Sequence, residues 1–431
     1  MSGVQIKSCN GQPGCRKFAD DNQGRHLRHL NTVSPTLNIL QEEEDMKKIK
    51  VGLIGGGFIG RVHTEALRRL GFIDVIAIAE ADQKLAEERA EELFIPNAYG
   101  DYRELIKNEE VESVHVLTPN NLHFPMSRKA VEAGKHVVCE KPLAMNSRET
   151  AELVKLAKEN GVVHCLCHNM RYYPMVKQAR EMVKAGEIGD IWIIHGHYLQ
   201  DWLFHETDYN WRVTSEIGGK SRVVADIGTH WMDMVQHVSG QKVVSVSVDM
   251  KTLIPVRKKS LKEVETFTVQ KLKPEDYEDV KIDTEDLGIV LLKFSGGARG
   301  VLIASQVCAG RKNWIQFEIN GSKRSLEWDG EHPNHMWIGE RGKVNGEFIK
   351  NPAIMAPEAA KYAHAPFGLG EGYLDTFKNV FSDVYTWIGE GKRMDEKKAN
   401  FPTFVTGHEE LSIVDAAIRS NESGKWEDVE Y

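Results

Sequence analysis

Val51-Gly52-Leu53-Ile54-Gly55-Gly56-Gly57-Phe58-Ile59-Gly60 reads as an apolar strand that runs straight into a glycine turn. Gly55, Gly57 and Gly60 stand in the G-x-G-x-x-G register. There the first glycine permits a tight turn, the second lets backbone approach a pyrophosphate, and the third lets the following helix pack closely. Alone, the pattern fits any glycine-rich turn after a strand. It needs a helix behind it and an acidic residue about 20 positions further on. Helical spacing over Arg61 to Leu70 supplies the first, so Gly55, Gly57, Phe58, Ile59 and Gly60 are the expected cofactor cradle.

The acid is Glu80. It closes the apolar, β-branched run Ile73-Asp74-Val75-Ile76-Ala77-Ile78-Ala79, which has the length and composition of a buried parallel strand. A carboxylate there can accept hydrogen bonds from both ribose hydroxyls of an adenosine and repels a 2′-phosphate, so NAD is expected over NADP. The competing reading is a solvated helix-capping acid, with Asp82 able to serve instead, and Lys84 keeps NADP open.

The chain of 431 residues exceeds the usual size of one core, and 41% hydrophobic content can bury two. A formal charge of -8, spread along the sequence, argues against nucleic acid or an anionic membrane as the partner and favours a small molecule. No apolar run of about 18 residues and no signal-peptide core stand out, so a cytoplasmic location is expected. Six cysteines in so long a chain form no disulfide framework. Cys9, Cys15, His26 and His29 match no common zinc spacing, and no metal is expected. Residues 1–46 are polar, with little apolar periodicity, and read as a flexible extension outside the functional unit.

Strand and helix then alternate: helices over Gln83 to Leu93 and Tyr102 to Asn108, a strand at Ser113 to Leu117, a helix over Pro125 to Ala133, and a strand at His136 to Cys139. Thr118-Pro119-Asn120-Asn121-Leu122-His123 breaks the pattern at the carboxyl edge where open α/β sheets hold ligands, so Thr118 and Asn120 are expected to face cofactor. His123 can touch a ligand there or cap the next helix. The following strand delivers Glu140-Lys141-Pro142 to the same edge. A lysine held there can donate to a substrate hydroxyl and favour its alkoxide; the bland alternative is a surface lysine beside a glutamate. After a capped helix over Ser147 to Asn160 and a strand over Val162 to Cys167, Arg171, Tyr172 and Tyr173 either line a pocket or pack at a domain junction.

From Ile191 the pattern changes to alternating strands, with Ser295-Gly296-Gly297 and Asn320-Gly321 as tight reversals. A mostly antiparallel sheet is expected, one face covered by helices and one free to meet a second subunit. Asp226 and His230 stand four apart. If that stretch is helical, both share a face, and the carboxylate orients the imidazole for taking a hydroxyl proton; a structural ion pair or half a metal site are the alternatives. Gln200-Asp201-Trp202 and Asp208-Tyr209-Asn210-Trp211-Arg212 mix aromatic faces with hydrogen-bonding groups, as sugar sites do, or else bury tryptophan at a sheet edge. Leu374, Phe377, Phe381, Val384 and Ile388 give an amphipathic helix, and Gly407 to Ser420 another, both read as packing elements.

With the glycine turn, Glu80, Thr118-Pro119-Asn120, Glu140-Lys141-Pro142 and Asp226-Ile227-Gly228-Thr229-His230 in this order, the chain resembles the glucose-fructose oxidoreductase, inositol dehydrogenase and MocA family from about Lys47 to Tyr431. The resemblance implies an N-terminal Rossmann NAD-binding domain over 47–168. It implies an α+β substrate domain over 169–431 with an open, mostly antiparallel sheet. It also implies oxidation or reduction of a sugar or cyclitol hydroxyl with a nicotinamide cofactor. Carried over, His230 is acid/base, Asp226 supports it and Lys141 holds the reacting oxygen. Glu140 and Arg171 are expected toward cofactor, and Tyr172, Asp201, Trp202 and Arg212 toward substrate. The tract Tyr198 to Leu203 with Gly219 to Trp231 looks like members acting on glucose-type substrates, levoglucosan and glucoside 3-dehydrogenases among them. A homo-oligomer is expected. A glycosidase using transient oxidation, and a noncatalytic sugar-responsive regulator, are the rival readings.

Overall fold

The computed structural model describes residues 48–261 and 273–431. The expected extension over 1–46, with Cys9, Cys15, His26 and His29, lies outside the described residues.

Six parallel strands form the first sheet: β1 (Ile49–Ile54), β2 (Ile73–Ala79), β3 (Asn97–Tyr99), β4 (Ser113–Val116), β5 (His136–Cys139) and β6 (His164–Leu166), in the order β3-β2-β1-β4-β5-β6. The order reverses between β1 and β4, which opens a crevice at their carboxyl ends, where such sheets take ligands. Helices α1 (Phe58–Arg68), α2 (Gln83–Leu93), α3 (Tyr102–Lys107), α4 (Asn120–Glu132) and α5 (Ser147–Asn160) connect the strands. Side chains at the N-caps stop most of them: Asp82 accepts from the Leu85 N–H, Asp101 from Arg103 and Asn146 from Glu149.

After α6 (Pro174–Lys184) comes a nine-stranded sheet. It contains β7 (Ile191–Leu199), β8 (Val243–Lys251), β11 (Leu287–Phe294), β12 (Arg299–Ser305), β13 (Trp314–Gly321), β14 (Ser325–Asp329), β15 (His335–Gly339), β16 (Gly346–Ile349) and β17 (Glu427–Asp428). Its neighbours pair antiparallel except β7 with β12. A separate hairpin joins β9 (Val256–Ser260) and β10 (Tyr277–Lys281). α7 (Thr229–Ser239) lies on the covered face, where Trp231, Met232 and Val235 join Ile194, Leu302 and Phe317 in one core. Trp192, Ile289, Leu291 and Ile303 stay exposed.

The last two long helices return to the first sheet. α8 (Tyr373–Gly389) sends Phe377, Phe381, Val384 and Tyr385 into the core built by Val51, Leu53 and Val62. Leu374, expected on the same stripe, is 42% exposed, while its neighbour Tyr373 packs against that core instead. α9 (Phe404–Ser423) places Phe404 against Val137 and Leu166 and its later residues, Leu411 and Val414, against the large sheet. Among the described residues no helix is long and apolar enough to cross a membrane.

Candidate active site

At the end of β1 the backbone turns through Gly55 with φ of +104°, a conformation that favours glycine. A Cβ on Gly60 would lie 2.5 Å from the Gly55 carbonyl oxygen, so the third glycine is what allows α1 to start against the turn. A Cβ on Gly57 would meet nothing within 4 Å: this glycine faces open space, and α1 starts there without a side-chain cap. An uncapped helix start behind an open glycine is the arrangement that receives a pyrophosphate. Glu80 closes the cradle. Its Oε1 accepts from the Gly56 N–H at 2.6 Å, which fixes the carboxylate beside the turn. Partial burial raises its pKa, with the Gly56 N–H and Arg89 opposing. Phe58 is exposed at the turn and Ile59 half-buried against the core. These residues fit a dinucleotide.

The other residues expected toward cofactor are more enclosed. The helix after β4 begins at Asn120 rather than Pro125, and Pro125 sits inside it, so the expected loop is only Thr118 and Pro119. Asn120 is buried, and its Nδ2 donates to the Gly218 carbonyl at 2.8 Å, tying the loop after β4 to the stretch that carries Asp226 and His230. Thr118 is half-buried, its hydroxyl directed to the Met126 sulfur at 3.6 Å. His123 is buried between the Pro142 and Thr118 carbonyl oxygens, 2.6 and 2.8 Å away, and braces these two loops instead of touching a ligand. Arg171 is occupied by a buried pair with Asp233, and Tyr172 is fully buried with its hydroxyl donating to Asp383 at 3.0 Å. Both belong to the domain junction: the Arg171 guanidinium is committed to an internal carboxylate, and the Tyr172 ring has no open face.

Glu140 also faces inward. Its Oε1 lies 3.0 Å from His63 Nε2, His63 Nδ1 lies 2.8 Å from His115 Nδ1, and His115 Nε2 lies 2.6 Å from the Tyr385 hydroxyl. A carboxylate only accepts, so His63 donates from Nε2 and accepts at Nδ1 from His115, which in turn accepts from Tyr385. One proton on each ring satisfies the whole chain. Burial and then His63 push the His115 pKa well below 6.5. Burial raises Glu140, but His63 and Lys141 outweigh it and hold the acid below its ordinary value. His63, Glu140 and Cys167 offer ligand atoms within 4.8 Å of one another. The hydrogen-bond chain already engages His63 and Glu140, and burial drives the Cys167 thiol well above 9, so the cluster reads as a brace behind Lys141 rather than a metal site.

From that brace Lys141 projects across to the second sheet, its bond to Pro142 being cis. Its Nζ donates to Asp226 Oδ1 at 2.7 Å and to the Asp226 carbonyl at 2.9 Å. Gln306, at the end of β12, donates to Asp226 Oδ2 at 2.9 Å, and Arg212 Nε lies 3.6 Å from Oδ1. Burial alone would raise the Asp226 pKa; Lys141 and Arg212 overcome it and hold the carboxylate ionised. Asp226 therefore engages Lys141, not His230 as expected from their spacing. The local cause is a π-turn over Val224–Gly228, which runs into α7 at Thr229. Glu285 holds its start by accepting from the Ser221 hydroxyl at 2.7 Å and the Arg222 and Val224 N–H groups.

His230 is buried edge-on to His168, ring centroids 5.3 Å apart, and 6.3 Å from Tyr198. Among the described residues its Nδ1 has no hydrogen-bond partner. Burial, then Lys141 and His168, lower its pKa well below 6.5, so the ring is neutral at pH 7 and able to accept a proton. Of the residues expected toward substrate, Trp202 and Arg212 stand at this edge: the Arg212 guanidinium lies 4.1 Å from the Trp211 ring and 5.7 Å from that of Trp202. Asp201 does not join them, because its Oδ2 is taken by the Gly310 N–H at 3.0 Å and Lys312 at 2.6 Å. Gln306 and Glu285 were not legible in the sequence; each is a single polar residue at a strand end, with no motif to mark it.

Residues 49–168 match the oxidoreductase family with an NAD-binding Rossmann fold, and residues 176–327 match the GFO/IDH/MocA C-terminal domain. Levoglucosan dehydrogenase of Pseudarthrobacter phenanthrenivorans is 30% identical over 404 residues, 89% of this chain and 99% of that protein. The chain belongs to the Gfo/Idh/MocA oxidoreductase family. Myo-inositol 2-dehydrogenase of Thermotoga maritima is 28% identical over 59% of this chain and 67% of that protein. Among solved structures, levoglucosan dehydrogenase in complex with NADH and L-sorbose superposes with a TM-score of 0.80 at 29% identity, covering 89% of this chain and all of that one. An inositol dehydrogenase homologue of Azotobacter vinelandii with NAD+ gives 0.77 at 26% identity over 89% and 97%. The Rossmann half and the mixed, mostly antiparallel sheet are thus those of a Gfo/Idh/MocA oxidoreductase, as the motifs implied.

Proposed function

We propose that the chain oxidises, reversibly, a secondary hydroxyl of a sugar, glycoside or cyclitol, with NAD as cofactor. The observation that carries this reading is the convergence of Lys141, Asp226 and a neutral His230 at the edge where the glycine turn and Glu80 open. NAD, when bound, supplies the hydride acceptor. Gly55 to Gly60 hold its pyrophosphate and Glu80 its adenosine ribose. Two of the three Lys141 ammonium protons are held by Asp226, and the third donates to the reacting oxygen, which favours its alkoxide. His230 takes the hydroxyl proton. Asp226 fixes the lysine and, with Gln306 and Arg212, keeps the ammonium on its bearing. A panel of sugars, glycosides, anhydrosugars and inositols, assayed by absorbance of reduced cofactor, is expected to yield stoichiometric NADH with at least one; silence across the panel with NAD bound would favour the regulator, and aglycone release without net NADH the glycosidase.

Glu80→Ala is expected to lower the NAD-to-NADP ratio of kcat/KM by about tenfold or more, since one lost charge-assisted contact is worth roughly 1.5–3 kcal/mol. An unchanged ratio would move the ribose role to another residue. The reading also has two copies joined through the face that exposes Trp192, Ile289, Leu291 and Ile303; a monomeric mass by sedimentation would remove that part of it.

A further inference from the structure

Beside the catalytic pair runs an arc of four side chains whose polarity is fixed from one end. The Trp202 indole Nε1 donates to Gln200 Oε1 at 2.5 Å, Gln200 Nε2 donates to Asn313 Oδ1 at 2.9 Å, and the Tyr198 hydroxyl donates to the same Oδ1 at 2.7 Å. An indole N–H can only donate, so it must find the oxygen of the Gln200 amide; that turns the amide nitrogen to Asn313, which must then answer with its own oxygen. Asn313 Nδ2 is left pointing away from the arc. Among the described residues it has no hydrogen-bond partner, and on this half-buried residue it is not sealed from solvent.

Both ends of the arc touch the catalytic machinery. Tyr198 lies against His230, and Trp202 lies under Arg212, which reaches Asp226. The arc therefore runs beside the groups that would meet a substrate, His230 at one end and Arg212 with Asp226 at the other. We propose that Asn313 is a specificity-determining residue whose Nδ2 donates to a non-reacting oxygen of the carbohydrate, with Gln200 as the positioning residue that locks it as a donor. Two N–H groups and no acceptor best match an oxygen that carries no hydrogen of its own: the ring or glycosidic ether oxygen of a pyranoside or anhydrosugar. This inference rests on the carbohydrate-oxidising function proposed above.

Asn313→Asp tests it with little disturbance. The aspartate keeps an oxygen for Tyr198 and Gln200 and replaces only the outward donor by an acceptor. On a pyranoside or anhydrosugar that the wild type oxidises, KM is expected to rise about 10- to 100-fold, with kcat within about threefold and NAD binding unchanged. Gln200→Glu leaves Asn313 untouched but offers it a carboxylate oxygen. The amide then rotates to donate into the arc and presents Oδ1 outward, so a KM rise of the same order is expected, which a merely structural role for Gln200 would not produce. In both variants the preference for the ether-containing substrate over a cyclitol of matching hydroxyl pattern should shrink. Melting curves show that each variant is folded, and either folded variant decides the question. An unchanged KM on a substrate the wild type turns over overturns the role of Asn313 while leaving the proposed function standing; absence of wild-type turnover on every carbohydrate removes both.

Discussion

Lys141→Ala is expected to lower kcat/KM on the best carbohydrate substrate by about a thousandfold, with NAD affinity within about threefold of wild type. The size follows from how the ammonium is spent. Asp226 takes two of its three protons, one at the carboxylate and one at the backbone carbonyl, so the direction of the third is set by the protein before substrate arrives. A preset donor stabilises the developing alkoxide without reorganisation, which is where such groups gain most. Arginine should not rescue, because its planar fork cannot place one donor where the tetrahedral ammonium does. Asp226→Asn should cost a comparable factor and the double variant little more, since the two side chains act as a unit. Removal of Lys141 also leaves a carboxylate with 11% exposure that keeps Gln306 and Arg212 but loses its closest cation, so the variant is expected to be less stable. Melting curves and NAD titrations therefore accompany the rates. A folded, NAD-binding Lys141→Ala protein with rates near wild type would end the assigned mechanism.

What the sequence disclosed depends on how local the cause is. β2, α2, β5 and α5 occupy the residues read from the apolar runs and caps, because each is either a largely buried apolar run or a helix whose start is capped by the side chain before it. The β9–β10 hairpin was missed: six of the ten residues in Val256–Ser260 and Tyr277–Lys281 are charged and only Arg257 is buried, so no apolar alternation marks them. Pro125 misled the reading of α4, since proline favours a first turn, yet Pro119 already closes the preceding loop and the helix accepts one missing N–H further in.

The site shows the same division. The glycine turn, Glu80, Lys141, Asp226 and His230 could be picked out as candidates because each belongs to a spaced motif. Their pairing could not. Spacing of four put Asp226 on His230, whereas the topology brings β5 and the turn after β12 to one edge, and the closer partners are Lys141, 85 residues back, and Gln306, 80 residues on. Arg171, Tyr172 and Asp201 looked open for the converse reason: Asp233, Asp383 and Lys312, which occupy them, come from distant segments.

His230→Ala is expected to reduce kcat for oxidation by about 10²- to 10⁴-fold, and the pH dependence of the wild type separates its role from that of Lys141. Oxidation needs a neutral imidazole. Burial, Lys141 and His168 all disfavour the imidazolium, so the acid limb of kcat/KM is expected well below pH 6.5, and the rate should hold from pH 8 down through pH 6. An acid limb at or above 6.5 in the wild type would contradict this assignment. The same shift enters stability with a definite sign. The folded state binds the His230 proton less readily than the unfolded chain, so its contribution is complete above the unfolded pKa of about 6.5 and is lost as pH falls below it. His168, lowered to about 4 by burial, acts in the same direction. Acid thus weakens the fold before it protonates the base, and melts must run beside the rates below pH 6. His230→Ala removes one of these groups, so its stability should fall less steeply with acid than that of the wild type. If the variant instead keeps the wild-type slope while losing turnover, the base is still His230, but the buried charge that acid must create lies on His168 and its neighbours.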